Sequence, residues 1–227
     1  MKNEEGRGIF ITGTDTGVGK TFLGAGIAGF LRSRGIDVGA MKPAETGCRT
    51  RGSELVPHDA RTLLRASGTG DPIDMVNPCR FRAPLAPLVA AEREGTRVDV
   101  RRIMSAYRKI MMRHDFVIVE GAGGIMVPLT RRMSYLDLAA EMGLPVLIVA
   151  RPGLGAINHT VLTVMALRSR QIPVSAVVVN HRSRARKGIA ERTNPSVIER
   201  LTGVGVISLV CGGGNISDVV AALRITP

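Results

Sequence analysis

The run Gly13-Thr-Asp-Thr-Gly-Val-Gly-Lys-Thr21 has the composition of a loop that holds a phosphate chain. Glycines let the backbone curl until successive N–H groups face an anion, and a helix starting where the loop ends adds positive potential. In that setting Lys20 reaches the β- and γ-phosphates and the Thr21 hydroxyl is a ligand for Mg²⁺. The strict phosphate-loop pattern is broken once: Thr14 stands in place of the first glycine, and Gly13 lies one residue earlier. A second constellation, Phe116-Val-Ile-Val-Glu-Gly-Ala-Gly-Gly124, reads as a buried strand ending in an acid and a glycine-rich turn. Glu120 then lies at the carboxyl edge of a sheet, where α/β proteins bind ligands. A carboxylate there either holds Mg²⁺, directly or through water, or terminates the strand.

Three further residues carry two readings each. Lys42 ends a short apolar stretch, as a solvated terminus or as a cation aimed at a transferred phosphoryl group. Asp59 opens a short predicted helix, as its cap or as a metal ligand. Asn180 ends another strand, where it caps a turn or reads a base. Gly24, Gly26 and Gly29 also spell G-x-G-x-x-G, but inside the first predicted helix rather than on the strand-to-helix turn that the dinucleotide fingerprint needs. Close packing of that helix on a sheet explains them better.

The elements that must position these groups alternate along the chain. Gly8–Thr12, Asp37–Lys42, Phe116–Val119, Pro145–Ala150, Val174–Val179 and Val204–Val210 are unbroken or nearly unbroken apolar runs, the pattern of strands covered on both faces. Between them lie amphipathic stretches: Thr21–Arg34, a helix marked by Val98, Ile103, Met104, Tyr107 and Met111, then Asn158–Arg170, Asn194–Leu201 and Ile216–Leu223. Alternation of this kind predicts an α/β fold: a doubly wound, mainly parallel sheet with helices on both faces. The irregular, Gly- and Pro-rich segment from Thr46 to Arg97 reads as an excursion over the ligand edge, with a short helix near Asp59–Ala66. A single domain over 1–227 is expected, with 1–7 and 224–227 as flexible ends.

Composition narrows the classes. Aromatic residues are only 3% of the chain and tryptophan is absent, which argues against an aromatic-girdled membrane barrel and against an RNA-stacking platform. No apolar stretch approaches the roughly 20 residues of a membrane helix. Met1–Gly8 carries Glu4 and Glu5 and does not read as a signal peptide. Cys48, Cys79 and Cys211 lie far apart without metal-ligand spacing, so reduced thiols in a cytoplasmic protein are expected. The net charge of +12 is concentrated late, densest at Arg182, Arg184, Arg186 and Lys187. A solvated basic loop accounts for it, and neither a nucleic-acid nor a membrane partner is expected.

Four blocks in order, Gly13-Thr-Asp-Thr-x-Val-Gly-Lys-Thr21, Lys42-Pro-x-x-Thr-Gly47, Val119-Glu-Gly-Ala-Gly-Gly124 and Gly155-x-Ile-Asn-His-Thr160, resemble the dethiobiotin synthetase family of biotin synthesis. The resemblance runs from about Ile9 to Val210. It implies a phosphate-loop α/β fold and a homodimer whose substrate site is shared across the interface. It also implies an ATP- and Mg²⁺-dependent ligase that joins CO₂ to 7,8-diaminononanoate, releasing ADP and phosphate. An amine would capture CO₂ as a carbamate, the carbamate would attack the γ-phosphate to give a carbamic–phosphoric anhydride, and the second amine would close the cyclic urea. Carried over by motif, Lys42, Lys20 and Thr16 serve catalysis, Thr16 on the carbamate side, and Thr21, Asp59 and Glu120 ligate Mg²⁺. Nucleotide contacts fall on Gly17, Val18, Gly19, Lys20, Thr21, Phe22, Asp59, Glu120, Gly121, Ala122, Gly123 and, at the base, Asn180. Thr46 meets the substrate, and Asn158, heading a predicted helix, receives its carboxylate from across the dimer. The chain departs from the family at Ser208–Asn215, where the usual proline-containing stretch is replaced by a glycine-rich one, which weakens the expected purine contacts. The competing reading is a partner-regulated phosphate-loop ATPase switch, which would have no use for the Lys42–Gly47 and Gly155–Thr160 blocks.

Overall fold

Every apolar run named above becomes a strand of one sheet. The computed structural model describes residues 8–181, 188–210 and 216–223. In chain order the elements are β1 (Gly8–Gly13), α1 (Lys20–Ser33), β2 (Val38–Met41), β3 (Ala44–Glu45), β4 (Arg49–Arg51), β5 (Glu54–Val56), α2 (His58–Ser67), α3 (Ile73–Val76), β6 (Cys79–Arg80), α4 (Pro87–Arg93), α5 (Val100–Arg113), β7 (Phe116–Gly124), β8 (Pro128–Thr130), β9 (Met133–Ser134), α6 (Tyr135–Met142), β10 (Val146–Ala150), α7 (Ala156–Ser169), β11 (Val174–Asn180), α8 (Ile189–Thr202), β12 (Val206–Leu209) and α9 (Ile216–Ala222). The main sheet runs β12-β11-β10-β1-β7-β2, and its pairings are parallel. The strand order reverses around β1, and a ligand crevice opens at such a switch point, beyond the carboxyl ends of the strands.

Both sheet faces are buried, which explains why the strands read as continuous rather than alternating apolar runs. Phe10, Val117, Val119, Ile148 and Val177 point into one core, shared with Ile110 of α5, Leu138 of α6, Leu167 of α7 and Ile198 of α8. Ile9, Ile11, Ile118, Val149 and Val178 point into the other, against Leu23 and Ile27 of α1 and Val219 of α9.

The decoy glycines show what such packing needs. A Cβ on Gly24 would sit 2.9 Å from Leu63 Cδ2 and 3.3 Å from Ile11 Cδ1, so α1 packs closely on α2 and the sheet there, and those two buried side chains must shift to admit it. Gly29 faces open space, with nothing within 4 Å of the same added atom. Gly24→Ala is therefore expected to cost about 1–3 kcal/mol through overpacking, whereas Gly29→Ala gains about 0.5–1 kcal/mol through helix propensity. Urea denaturation of the two variants checks this, and equal midpoints would refute it.

Several boundaries differ from the sequence reading. Helix α8 begins at Ile189, not Asn194, and carries Pro195 in its interior. Asn194 instead donates both amide hydrogens to the loop after β10, to Pro152 O at 3.0 Å and Gly153 O at 2.9 Å. Helix α7 begins at Ala156 with Gly155 as its cap, at φ 87°, so Asn158 is inside the first turn and does not head the helix. The short helix α6 was not anticipated; a reciprocal pair between Ser134 and Asp137 caps it. The excursion between β2 and α5 holds the antiparallel β4–β5 pair, α2, α3 and α4. The basic run at 182–187, the stretch 211–215 and the ends 1–7 and 224–227 lie outside the described residues.

Candidate active site

A cleft of about 790 Å³ opens at the switch point. Strand β1 delivers the phosphate loop, β2 delivers Lys42, β7 delivers Glu120, and β11 delivers Asn180. Thr16, Gly17, Gly19, Lys20, Thr21, Phe22, Lys42, Thr46, Asp59, Glu120, Ala122, Gly123 and Asn180 all line it. Three of the residues singled out from sequence do not. The Val18 side chain is buried in the core under β1. Gly121 lies beneath the wall, with its carbonyl 3.4 Å from Lys42 Nζ. Asn158 is exposed on α7 and is absent from the cleft of its own chain.

The loop is built around glycine for a local reason. Gly17 and Gly19 have φ of 72° and 101°, a region where a Cβ is strained. At Gly19 there is also no room, since an added Cβ would lie 2.1 Å from Asn180 Nδ2. That Asn180 amide donates to Val18 O at 2.8 Å, so it braces the phosphate loop from β11. Asp15 pairs with Arg151 beyond β10, and its carbonyl accepts from Lys20 Nζ at 3.1 Å.

The charges converge on Lys42. Lys42 is 2% exposed, and its ammonium donates to Glu120 Oε1 at 2.5 Å and Asp59 Oδ2 at 3.0 Å. Burial alone would lower its pKa, but the Glu120 and Asp59 carboxylates outweigh burial and hold it above the ordinary lysine value. Asp59 shifts the opposite way: burial works against its charge, yet Lys42 keeps its carboxyl below the usual range. Lys20 is different. Burial, reinforced by the charge of Lys42 and only partly opposed by Glu120 and Asp59, lowers it to about 8.

Glu120 has no exposed surface, and its Oε1 accepts from both Thr21 Oγ1, at 2.8 Å, and Lys42. Its Oε2 has no hydrogen-bond partner among the described residues. A fully buried carboxylate oxygen without a partner is costly unless a cation or water meets it. Together with the Thr21 hydroxyl and the Asp59 carboxylate it makes an all-oxygen donor set, the kind a hard divalent cation prefers. These residues therefore fit Mg²⁺.

The sequence reading did not single out Glu45, which lines the cleft at 5% exposure, nor the apolar wall of Pro84, Leu85, Ala86, Pro87 and Val127. Burial raises the Glu45 carboxyl, against the pull of the Ala60 and Asp59 backbone amides. Glu45 does sit inside the Lys42–Gly47 block, at one of its unassigned positions, and that was the available signal.

A family model described as an AAA domain matches residues 7–211. The ATP-dependent dethiobiotin synthetase of Thermodesulfovibrio yellowstonii is 42% identical over 210 residues, covering 89% of this chain and 88% of its own. The enzyme of that name from Anaeromyxobacter dehalogenans strain 2CP-C is 49% identical over 174 residues, 77% of this chain and 76% of its own. The one from Aquifex aeolicus is 41% identical, over 86% of this chain and 85% of its own. Among solved structures, a ParA family ATPase from Chlorobium tepidum superposes with a TM-score of 0.54 at 16% identity, covering 96% of this chain and 88% of that one, which bears on the fold alone.

Proposed function

The chain belongs to the dethiobiotin synthetase family of ATP-dependent ligases, and we propose that this cleft closes 7,8-diaminononanoate and CO₂ into the cyclic urea of dethiobiotin. The observation that carries the reading is that one cleft joins the phosphate loop to Lys42, Thr46 and an apolar wall. An ATPase switch needs the first; a substrate with an apolar chain and two amines needs the rest.

In this reading the backbone of Gly17–Gly19 and Lys20 hold the nucleotide phosphates, and Thr21, Asp59 and Glu120 hold Mg²⁺. When bound, the metal offsets phosphate charge. Phosphoryl transfer depends on positioning and charge neutralisation more than on a covalent nucleophile. Lys42 is suited to that task, because its two carboxylate partners keep it an ammonium: it acts as a fixed positive charge and not as a base. Thr16 and Thr46 flank the reacting carbamate and the substrate. The carbamate oxygen attacks the γ-phosphate, ADP leaves, and the second amine displaces phosphate to form the ring. Asn180, with its amide nitrogen on Val18 O, reaches the base through its remaining amide atoms.

The enzyme is proposed to work as a homodimer. Leu154, Leu162 and Met165 are exposed at and along α7, and Asn158 falls on the same face at helical spacing. An apolar stripe left in water supports a second copy of the chain there, with Asn158 turned to the partner's cleft. Cytoplasmic location is proposed on the free, buried Cys48 and Cys79; no described helix is long and apolar enough to cross a membrane.

Phosphate release with ATP, Mg²⁺, bicarbonate and diaminononanoate, omitting each in turn, tests the reading. Release is expected to need all four. Undiminished release without the diamine would favour the ATPase switch.

A further inference from the structure

The proposed chemistry gives Glu45 no task, yet it is buried and both of its carboxylate oxygens are bonded. Its backbone belongs to β3, paired in parallel with β6, and its carbonyl accepts from Phe81 N at 2.9 Å. Its carboxylate then reaches the start of α2, where Oε1 accepts from Asp59 N and Oε2 from Ala60 N, each at 2.9 Å. The first amides of a helix have no partner within it and are normally capped by the residue just before. Here that residue is Pro57, with no side-chain cap. A carboxylate 14 residues upstream does the capping instead, and a negative charge at that end also suits the helix dipole.

The consequence falls on Asp59. Its side chain is 37% exposed, so its own packing does little to aim it, and its reach towards Lys42 is set by where its backbone sits. The two amides that Glu45 grips are those of Asp59 itself and of the next residue. We propose that Glu45 is a positioning residue that clamps the first turn of α2 to β3 and so fixes the Asp59 carboxylate for Lys42 and the divalent cation. The inference rests on the reading of Asp59 as a metal ligand. Outer-shell groups that orient a ligand in this way matter to the metal nearly as much as the ligand does.

Glutamine at this position keeps one acceptor but turns an NH₂ towards a backbone N–H, and alanine removes both acceptors. Two readouts separate a clamp from general support of the fold. One is hydrogen exchange at the Asp59 and Ala60 amides in the full chain. The other is Mn²⁺ binding in the presence of ATP, followed by electron paramagnetic resonance. In Glu45→Gln both amides are expected to exchange faster and Mn²⁺ affinity to fall about 10- to 100-fold, more in Glu45→Ala. kcat falls in parallel while KM for diaminononanoate is unchanged. A Glu45→Gln protein with a lower melting temperature but wild-type amide exchange and Mn²⁺ affinity would overturn the proposal. Asp59→Asn distinguishes the two possible failures. Mn²⁺ affinity unchanged in Asp59→Asn overturns the metal reading of Asp59. Affinity lost in Asp59→Asn but kept in Glu45→Gln overturns the clamp.

Discussion

Replacing Lys20 with alanine is expected to lower kcat by about a hundred- to a thousand-fold, the loss that follows removal of one preorganised electrostatic contact. The melting temperature at pH 7 should stay level or rise. The two effects have one cause. In the ligand-free protein Lys20 is buried beside Lys42, and its pKa is lowered to about 8 from 10.5. A folded-state value below the unfolded one means that the charged form opposes folding. That penalty is complete below about pH 8, where Lys20 is protonated in both states. It fades as pH rises towards the unfolded value, so any stability gain of Lys20→Ala should shrink between pH 8 and 10. In the proposed reaction a triphosphate would supply the missing counter-charge, and Lys20 would then contribute to phosphoryl transfer what it withholds from folding. Lys42→Ala gives the contrasting result. It also stops turnover, but it strands Glu120, which has no exposed surface, and Asp59 without their cation. Breaking a buried pair from one side costs about 3–5 kcal/mol. Thermal unfolding and steady-state kinetics on both variants decide the matter. A Lys20→Ala enzyme retaining more than half of wild-type kcat would remove the phosphate-loop assignment.

How much of this was legible in the sequence follows from how local each signal is. The six strands of the main sheet could be read because two-sided burial leaves continuous apolar runs, and the phosphate loop because its geometry is contained within a few consecutive residues. Lys42 and Asn180 were legible as strand ends at the ligand edge; Glu120 was expected to end its strand too, but β7 runs on through the glycines to Gly124, and the structure brings all three residues to the same cleft. Asn180 carried two sequence readings, and its observed bond to Val18 O runs to a residue far away in the chain, which spacing cannot foresee. Helix α8 was predicted only from Asn194 to Leu201, whereas it starts at Ile189; Asn194 lies inside it, its side chain spent on the loop after β10, a contact far off in the chain. Helix α6 escaped because eight residues barely show periodicity, although Ser134 and Asp137 have the spacing of a capping pair. The contact made by Glu45 was illegible for a stronger reason. Its place in the Lys42–Gly47 block hinted at a role, but the capping contact could not be read, because it depends on how the intervening antiparallel strand pair folds the chain back onto the start of α2.

Mixing two inactive variants is expected to restore activity if the site is shared between subunits. Asn158 lies in the first turn of α7, exposed to solvent and outside the cleft of its own chain, so an isolated chain offers it no route to its proposed ligand. The surrounding face, with Leu154, Leu162 and Met165 exposed, is what a second copy would cover. In the proposed two-fold dimer this face would bring the Asn158 side chain of each α7 to the partner's cleft, where its amide, at the start of the helix, would meet the substrate carboxylate. Lys20→Ala and Asn158→Ala each damage both sites of their own homodimer. In a mixed dimer one site inherits both lesions and the other inherits neither. With equal amounts and random exchange, half the dimers are mixed and each has one intact site of two, so about a quarter of wild-type turnover should return. Native mass spectrometry reports whether mixed dimers have formed, which keeps a failure of exchange from being mistaken for a failure of the idea. Mixed dimers that form and remain as inactive as the parent variants would mean that each cleft is built from a single chain. The carboxylate of the substrate would then need another anchor on the chain that holds the nucleotide.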